Sequence, residues 1–169
     1  DIDAVLEAMQ AQVGLRFANG REVNYAHDVH LGATRGNLIA VTGLSDYSQT
    51  YGYTDPNDQH NITTVVDGTG AVTVTNTYNA QDRVTRQVEG GSTFNFRYPT
   101  PGTTEFDETV TGGSATQVRT TTHIFNAGGF FAKEIDALGH EVRYTYDGNG
   151  DKTRTELWEK QGTTLVLLK

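Results

Sequence analysis

Three oxygen-bearing side chains stand at alternate positions in "YTYDGNGDK", residues 144–152: Asp147, Asn149 and Asp151. That spacing is the one a calcium loop uses, with carboxylate and amide oxygens closing around the ion. An EF-hand loop opening at Asp147 needs glycine at its sixth position and a bidentate acid at its twelfth. Those positions hold Lys152 and Trp158, and the lysine would set a positive charge beside the ion. The same residues also spell a tight turn. Asp147 would cap the turn with its own side chain, and Gly150 would take the left-handed conformation. The turn is the preferred reading. Asp147, Asn149 and Asp151 remain weak calcium candidates, and no metal ligand set is assigned.

Other chemistry-bearing residues lead to the same place. Asp55, Asn57, Asp58 and His60 form a second oxygen-rich loop, which Pro56 marks as a turn. His27 and His30 would share a face only on a helix, and their segment has the composition of strand and loop. No serine lies in a GxSxG context, and no phosphate-binding glycine loop is present. The chain has no cysteine, which excludes disulfides, zinc–thiolate sites and thiol nucleophiles. Asn61-Ile62-Thr63 matches a glycosylation sequon by pattern alone. The sequence therefore carries no enzyme signature, and no catalytic residue or cofactor is assigned.

Composition points to architecture instead. The 169 residues include 26 Thr, 19 Gly and 8 Tyr but only 3 Pro. Thr and Tyr favour strands, and abundant Gly favours tight turns. The net charge is −8, with no basic stripe of the kind a nucleic-acid partner would need. No apolar stretch is long enough to span a bilayer; the longest comparable run is Leu165-Val166-Leu167-Leu168. The first residue is Asp1 and not Met, so processing, trimming or omission of the N-terminus is expected.

The apolar spacing of Ile2, Val5, Leu6, Met9 and Val13 predicts a short N-terminal helix over residues 1–13. From there to residue 156 the chain reads as antiparallel hairpins. In "VGLRFANGREVNY" a three-residue Ala18-Asn19-Gly20 loop sets Leu15 opposite Val23 and Val13 opposite Tyr25, which makes one face apolar. The same turn chemistry recurs at Asp67–Gly70, Asn79–Asp82, Asn126–Gly129, Asp136–Gly139 and Asp147–Gly150. It places Val66 opposite Val72 and Phe125 opposite Phe131. A Gly90-Gly91-Ser92 loop sets Val88 opposite Phe94. Residues 99–116 read as a longer loop plus one hairpin around Gly112-Gly113. Tyr144 and Tyr146 should share a face with Tyr78, Phe94, Phe96 and Phe125.

These hairpins make a degenerate repeat of roughly 20 residues. "GHEVRYTYDGNGDKTRTE" (residues 139–156) resembles the YD repeat of rearrangement-hotspot (Rhs) proteins, teneurins and toxin-complex C subunits. "NTYNAQDRVTRQV" (76–88) is similar, with Asn79 for Asp and Asp82 for Gly, as is "HIFNAGGFFAKEIDALGHEV" (123–142), with Phe125 for Tyr. The resemblance implies a β-ribbon that winds into a shell, which encloses a toxin or serves as an extracellular scaffold. Its toxin-releasing members carry a DPxGL-like cleavage motif. Asp55-Pro56-Asn57-Asp58 does not match it, so no catalytic residue carries over.

The expectation is an all-β protein, an antiparallel meander in an open barrel or ribbon, with the repeat domain at 14–156 and a C-terminal strand segment at 157–169. Leu165, Val166, Leu167 and Leu168 are apolar on both faces of a strand and are expected to meet a neighbouring copy. The functional expectation is a non-enzymatic, extracellular building block that assembles with itself into a fibre or larger body. The alternative is an excised shell segment of an Rhs-type polymorphic toxin that encapsulates a toxin domain.

Overall fold

The computed structural model describes residues 12–28, 36–43, 47–112 and 115–169. The described residues form fourteen β-strands in one antiparallel meander, hydrogen-bonded in sequence order with β1 and β14 at the open edges. The predicted helix lies mainly on residues 1–11, outside the described residues. Its last two residues, Gln12 and Val13, belong to strand β1. There the pairing gain of a hairpin wins over the helical spacing.

The first unit contains β1 (Gln12–Arg16), β2 (Glu22–His27), β3 (Leu38–Gly43), β4 (Tyr47–Gly52), β5 (Thr64–Asp67) and β6 (Val72–Tyr78). Its first hairpin has the expected register, with Leu15 opposite Val23 and Val13 opposite Tyr25. Val66 faces Val72 across a bulge. Strand β7 (Val84–Glu89) ends the run, and the chain turns through Gly90 and Gly91 alone, with Ser92 already in strand. Both glycines have positive φ, 56° and 83°. A two-residue hairpin turn of this hand requires that at both positions. The loop is therefore two residues and not the expected three.

The second unit contains β8 (Ser92–Thr100), β9 (Thr103–Gly112), β10 (Ala115–Phe125), β11 (Phe131–Ile135), β12 (Glu141–Tyr146), β13 (Lys152–Gln161) and β14 (Thr164–Leu167). Residues 99–116 are more regular than expected. Strand β8 runs through Pro99, where the pairing with β9 becomes irregular between Arg97 and Thr100, and the chain reverses at Pro101-Gly102. A proline is tolerated in a strand at such an irregularity. Strands β9 and β10 then pair over ten positions, from Gly112–Ala115 to Thr103–Ile124.

No apolar side chain among the described residues is buried. The side chains with least exposure are polar: Asn37, Thr63 and Glu141, each at 9%. A strand alternates its side chains between two faces, so a sheet hides an apolar face only against a second layer.

Candidate functional site

The five Asx-headed turns share one construction. In each, an Asp or Asn Oδ1 accepts two backbone N–H groups, two and four residues on. Asp67 takes those of Thr69 and Ala71, and Asn79 those of Gln81 and Arg83. Asn126 takes Gly128 and Phe130, and Asp136 takes Leu138 and His140. Asp147 takes Asn149 at 2.9 Å and Asp151 at 3.0 Å. The last position of each loop has positive φ: Gly70, Asp82, Gly129, Gly139 and Gly150. Asp147 Oδ1 thus closes its own turn. No cluster of three or more metal-ligating His, Cys, Asp or Glu side chains occurs among the described residues.

The loop at residues 53–63 is a turn as well. Asp55 Oδ1 accepts from the Asn57 backbone at 2.9 Å, and its Oδ2 accepts from Asn61 Nδ2 at 2.9 Å. The Asn57 backbone bond and then the Asn61 amide hold the Asp55 carboxyl below its ordinary range. Asp58 caps His60 N. His60 Nδ1 meets Asn37 Oδ1 at 2.6 Å, while Asn37 Nδ2 donates to Gln59 O. The sequon residues are occupied: Asn61 Nδ2 bonds Asp55 and Asp82, and buried Thr63 Oγ1 donates to Gly52 O and accepts from Thr54 N. A cleft of about 360 Å³ lies beside this loop, lined by Asp55, Asn57, Thr75, Asn76 and Tyr78 among others. Asn76 Oδ1 is shielded from solvent and has no hydrogen-bond partner. His27 ends β2, and His30 lies outside the described residues.

The second unit carries the arrangement that sequence reasoning only partly found. One face of its sheet holds a chain of rings. Phe94 and Phe96 meet Phe106 at centroid distances of 6.2 and 5.6 Å. Phe106 meets His123 edge-on at 5.2 Å, and His123 meets Phe131 at 4.8 Å. Phe131 then touches Phe125 and Tyr144, both at 5.5 Å. Lys152 Nζ ends the row, 4.9 Å from the Tyr144 ring. Tyr146 leaves the row to stack on Phe130 at 5.0 Å, and its hydroxyl donates to Phe131 O. Tyr78 belongs to the first unit, where its hydroxyl donates to Ile62 O. Phe106 and His123 were missed because their meeting depends on the β9–β10 register, and residues 99–116 were read as a longer loop rather than as two long paired strands.

The opposite face is charged. Arg97 pairs with Asp107 and Glu105, and Thr120 Oγ1 donates to Asp107. The Arg97 bond, then Thr120, lowers the Asp107 pKa from its ordinary range. Glu141 accepts from Arg143 at 2.7 Å and from Lys133 at 3.4 Å. The Arg143 guanidinium sits 4.4 Å over the Trp158 ring.

At the C-terminal edge, β14 pairs with β13 of its own chain, with Trp158 opposite Leu167 and Lys160 opposite Leu165. Leu165 is half-buried, whereas Val166, Leu167 and Leu168 are 37, 43 and 60% exposed. The outer side of β14 has no strand beside it among the described residues. Strand β14 and Leu168-Lys169 cover β13 only from Leu157 to Gln161. Among the described residues, Lys152–Glu156 have a partner strand on the β12 side alone.

These features define a class: an all-β meander of repeated Asx-turn hairpins, with an aromatic and a charged face in its second unit. No family model matches the sequence, and no curated protein matches it. Among solved structures, the crystal structure of TcdB2-TccC3-Cdc42 is similar over 93% of this chain and 8% of that chain, at 16% identity and a TM-score of 0.42. That score is too low to assign a fold or a function. No helix among the described residues is long and apolar enough to cross a membrane.

Proposed function

We propose that this chain is a non-enzymatic, extracellular structural protein, a YD-repeat-like β building block whose sheet is completed by strands from outside it. One observation carries the reading: fourteen strands with no buried apolar side chain among the described residues. Fixing a backbone costs about 1–2 kcal/mol per residue, which burial of apolar area normally offsets at about 25 cal/mol per Å². A sheet that leaves its ring-bearing face half exposed gains that stabilisation when another layer or further strands cover it. The open edges at β1 and β14 offer unpaired backbone groups for such strands.

A second reading, the wall of an Rhs-type shell that encloses a toxin, has its own support. The outer side of Lys152–Glu156 is the space a longer neighbouring strand would fill. A hydrophobic dye tests the shared claim. It should bind the dilute chain strongly and be displaced as the protein assembles or is joined to its missing strands. A dilute chain that binds no dye would contradict both readings, and displacement by self-assembly favours the first.

A further inference from the structure

We propose that Tyr53, Tyr78 and Tyr146 are clasps: each hydroxyl closes the open end of the hairpin it terminates, so that the hairpin is held at both ends and its open end does not fray. The inference concerns the hairpins alone and does not depend on what covers the sheet.

Three hairpins repeat one geometry. In β3–β4 the last pair before the open end is Ala40–Thr50. Tyr53 stands three residues beyond Thr50, and its hydroxyl donates at 2.7 Å to the carbonyl of Leu38, two residues before Ala40. In β5–β6 the last pair is Thr64–Thr75. Tyr78, again three residues beyond, donates at 2.7 Å to Ile62 O, again two residues before. In β11–β12 the last pair is Lys133–Arg143. Tyr146 donates at 2.8 Å to Phe131 O, at the same two offsets. Ring packing without a directed bond gives no reason for the same acceptor position three times.

The physical reason lies in the ladder. Beyond its last pair a strand's carbonyls lose the N–H groups of that partner, and a part-buried carbonyl needs another donor. A tyrosine side chain spans the gap that the diverging backbones leave. The opposite ends of two of these hairpins are closed by the Asp67 and Asp136 turns. The clasp also stands beside the turn that follows. Tyr78 precedes Asn79 and Tyr146 precedes Asp147, which head the next two Asx turns. One residue ties the chain back to the strand before it, and the next starts the turn to the strand after it. The adjacent Tyr and Asp in "YTYDGNGDK" thus have separate tasks. Tyr47 is the contrast: it is exposed, and its hydroxyl donates to the Gln49 side chain instead of a carbonyl of the backbone.

Hydrogen exchange followed residue by residue by NMR tests the clasps. Tyr53→Phe, Tyr78→Phe and Tyr146→Phe each keep the ring and lose the hydroxyl, and Tyr146→Phe keeps the stack on Phe130. Amides at the open end of the variant's own hairpin should exchange about fivefold faster, the factor that losing a hydrogen bond of ordinary net strength gives. Amides at its turn end and in the other two hairpins should keep their rates. Tyr47→Phe should change neither set. The proposal is overturned by unchanged rates at the open end, or by an acceleration spread evenly over the sheet, which would mark a general loss of stability. Should a variant fail to fold, the wild-type hydroxyl protons decide. Those of Tyr53, Tyr78 and Tyr146 should exchange with water about tenfold more slowly than that of Tyr47, and equal rates would overturn the proposal.

Discussion

Phe131 is the junction of the aromatic row, and replacing it is the sharpest test of what holds the second unit together. Its ring touches His123 at 4.8 Å and both Phe125 and Tyr144 at 5.5 Å. Aromatic pairs in such geometries contribute about 0.5–1.5 kcal/mol each beyond burial, so three give a gross term of about 1.5–4.5 kcal/mol. Phe131→Leu keeps most of the apolar volume and removes the ring contacts. Neighbours relax, so the expected loss is the lower half of that range, about 1.5–3 kcal/mol. Phe130→Leu is the matched control. That ring is 43% exposed and makes one stack, with Tyr146, so its loss should stay near 1 kcal/mol or below, roughly one pair. Urea unfolding followed by near-ultraviolet circular dichroism reads both. Equal losses in the two variants, or a Phe131→Leu loss under about 0.5 kcal/mol, would refute the row as a source of stability.

Three further outcomes follow from the turns and the charges. Gly150→Ala should cost more than Gly20→Ala: both have positive φ, about 1–2 kcal/mol for any side chain, but only at Gly150 would the new Cβ lie 2.7 Å from Phe130 Cζ. Comparable urea midpoints for the two variants would contradict this. Calcium titration by calorimetry should show nothing tighter than about millimolar, and a micromolar affinity abolished by Asp147→Ala would overturn the turn-only account. Acid should destabilise the fold. Asp55, Asp67 and Asp107 all have folded-state pKa values below their ordinary range. Their contribution is complete above the unfolded carboxylate value, about 3.9, and is lost as pH falls through the lower folded values. The melting temperature should therefore hold steady down to about pH 5 and fall below about pH 4, with Asp107→Asn flattening the fall; a melting temperature that rises on acidification would contradict it.

The hairpin registers were legible in the sequence because turn chemistry fixes them locally. An Asp or Asn at the first position and Gly at the fourth determine which residues face one another, as at Val66–Val72 and Phe125–Phe131. Legibility failed where the signal is non-local or ambiguous. Gly90-Gly91-Ser92 fits two loop lengths, and the choice turns on φ at both glycines. The two prolines near residue 100 suggested a loop, yet the chain keeps pairing around them. The Asn37–His60 contact joins residues 23 apart, on either side of β3 and β4, so no local spacing rule could have found it. The apolar run at residues 165–168 was visible as a feature, and its pairing with β13 was not.

Among the described residues this sheet has no buried apolar core, and the heat capacity of unfolding measures that most directly. A 169-residue protein with an ordinary core should show about 2.0–2.5 kcal/mol/K, at about 12–15 cal/mol/K per residue. Scanning calorimetry of the dilute chain should instead give about half that value or less, rising with concentration as strands from a second copy cover apolar surface. A full-sized value at the lowest concentration, unchanged on concentrating, would contradict the account.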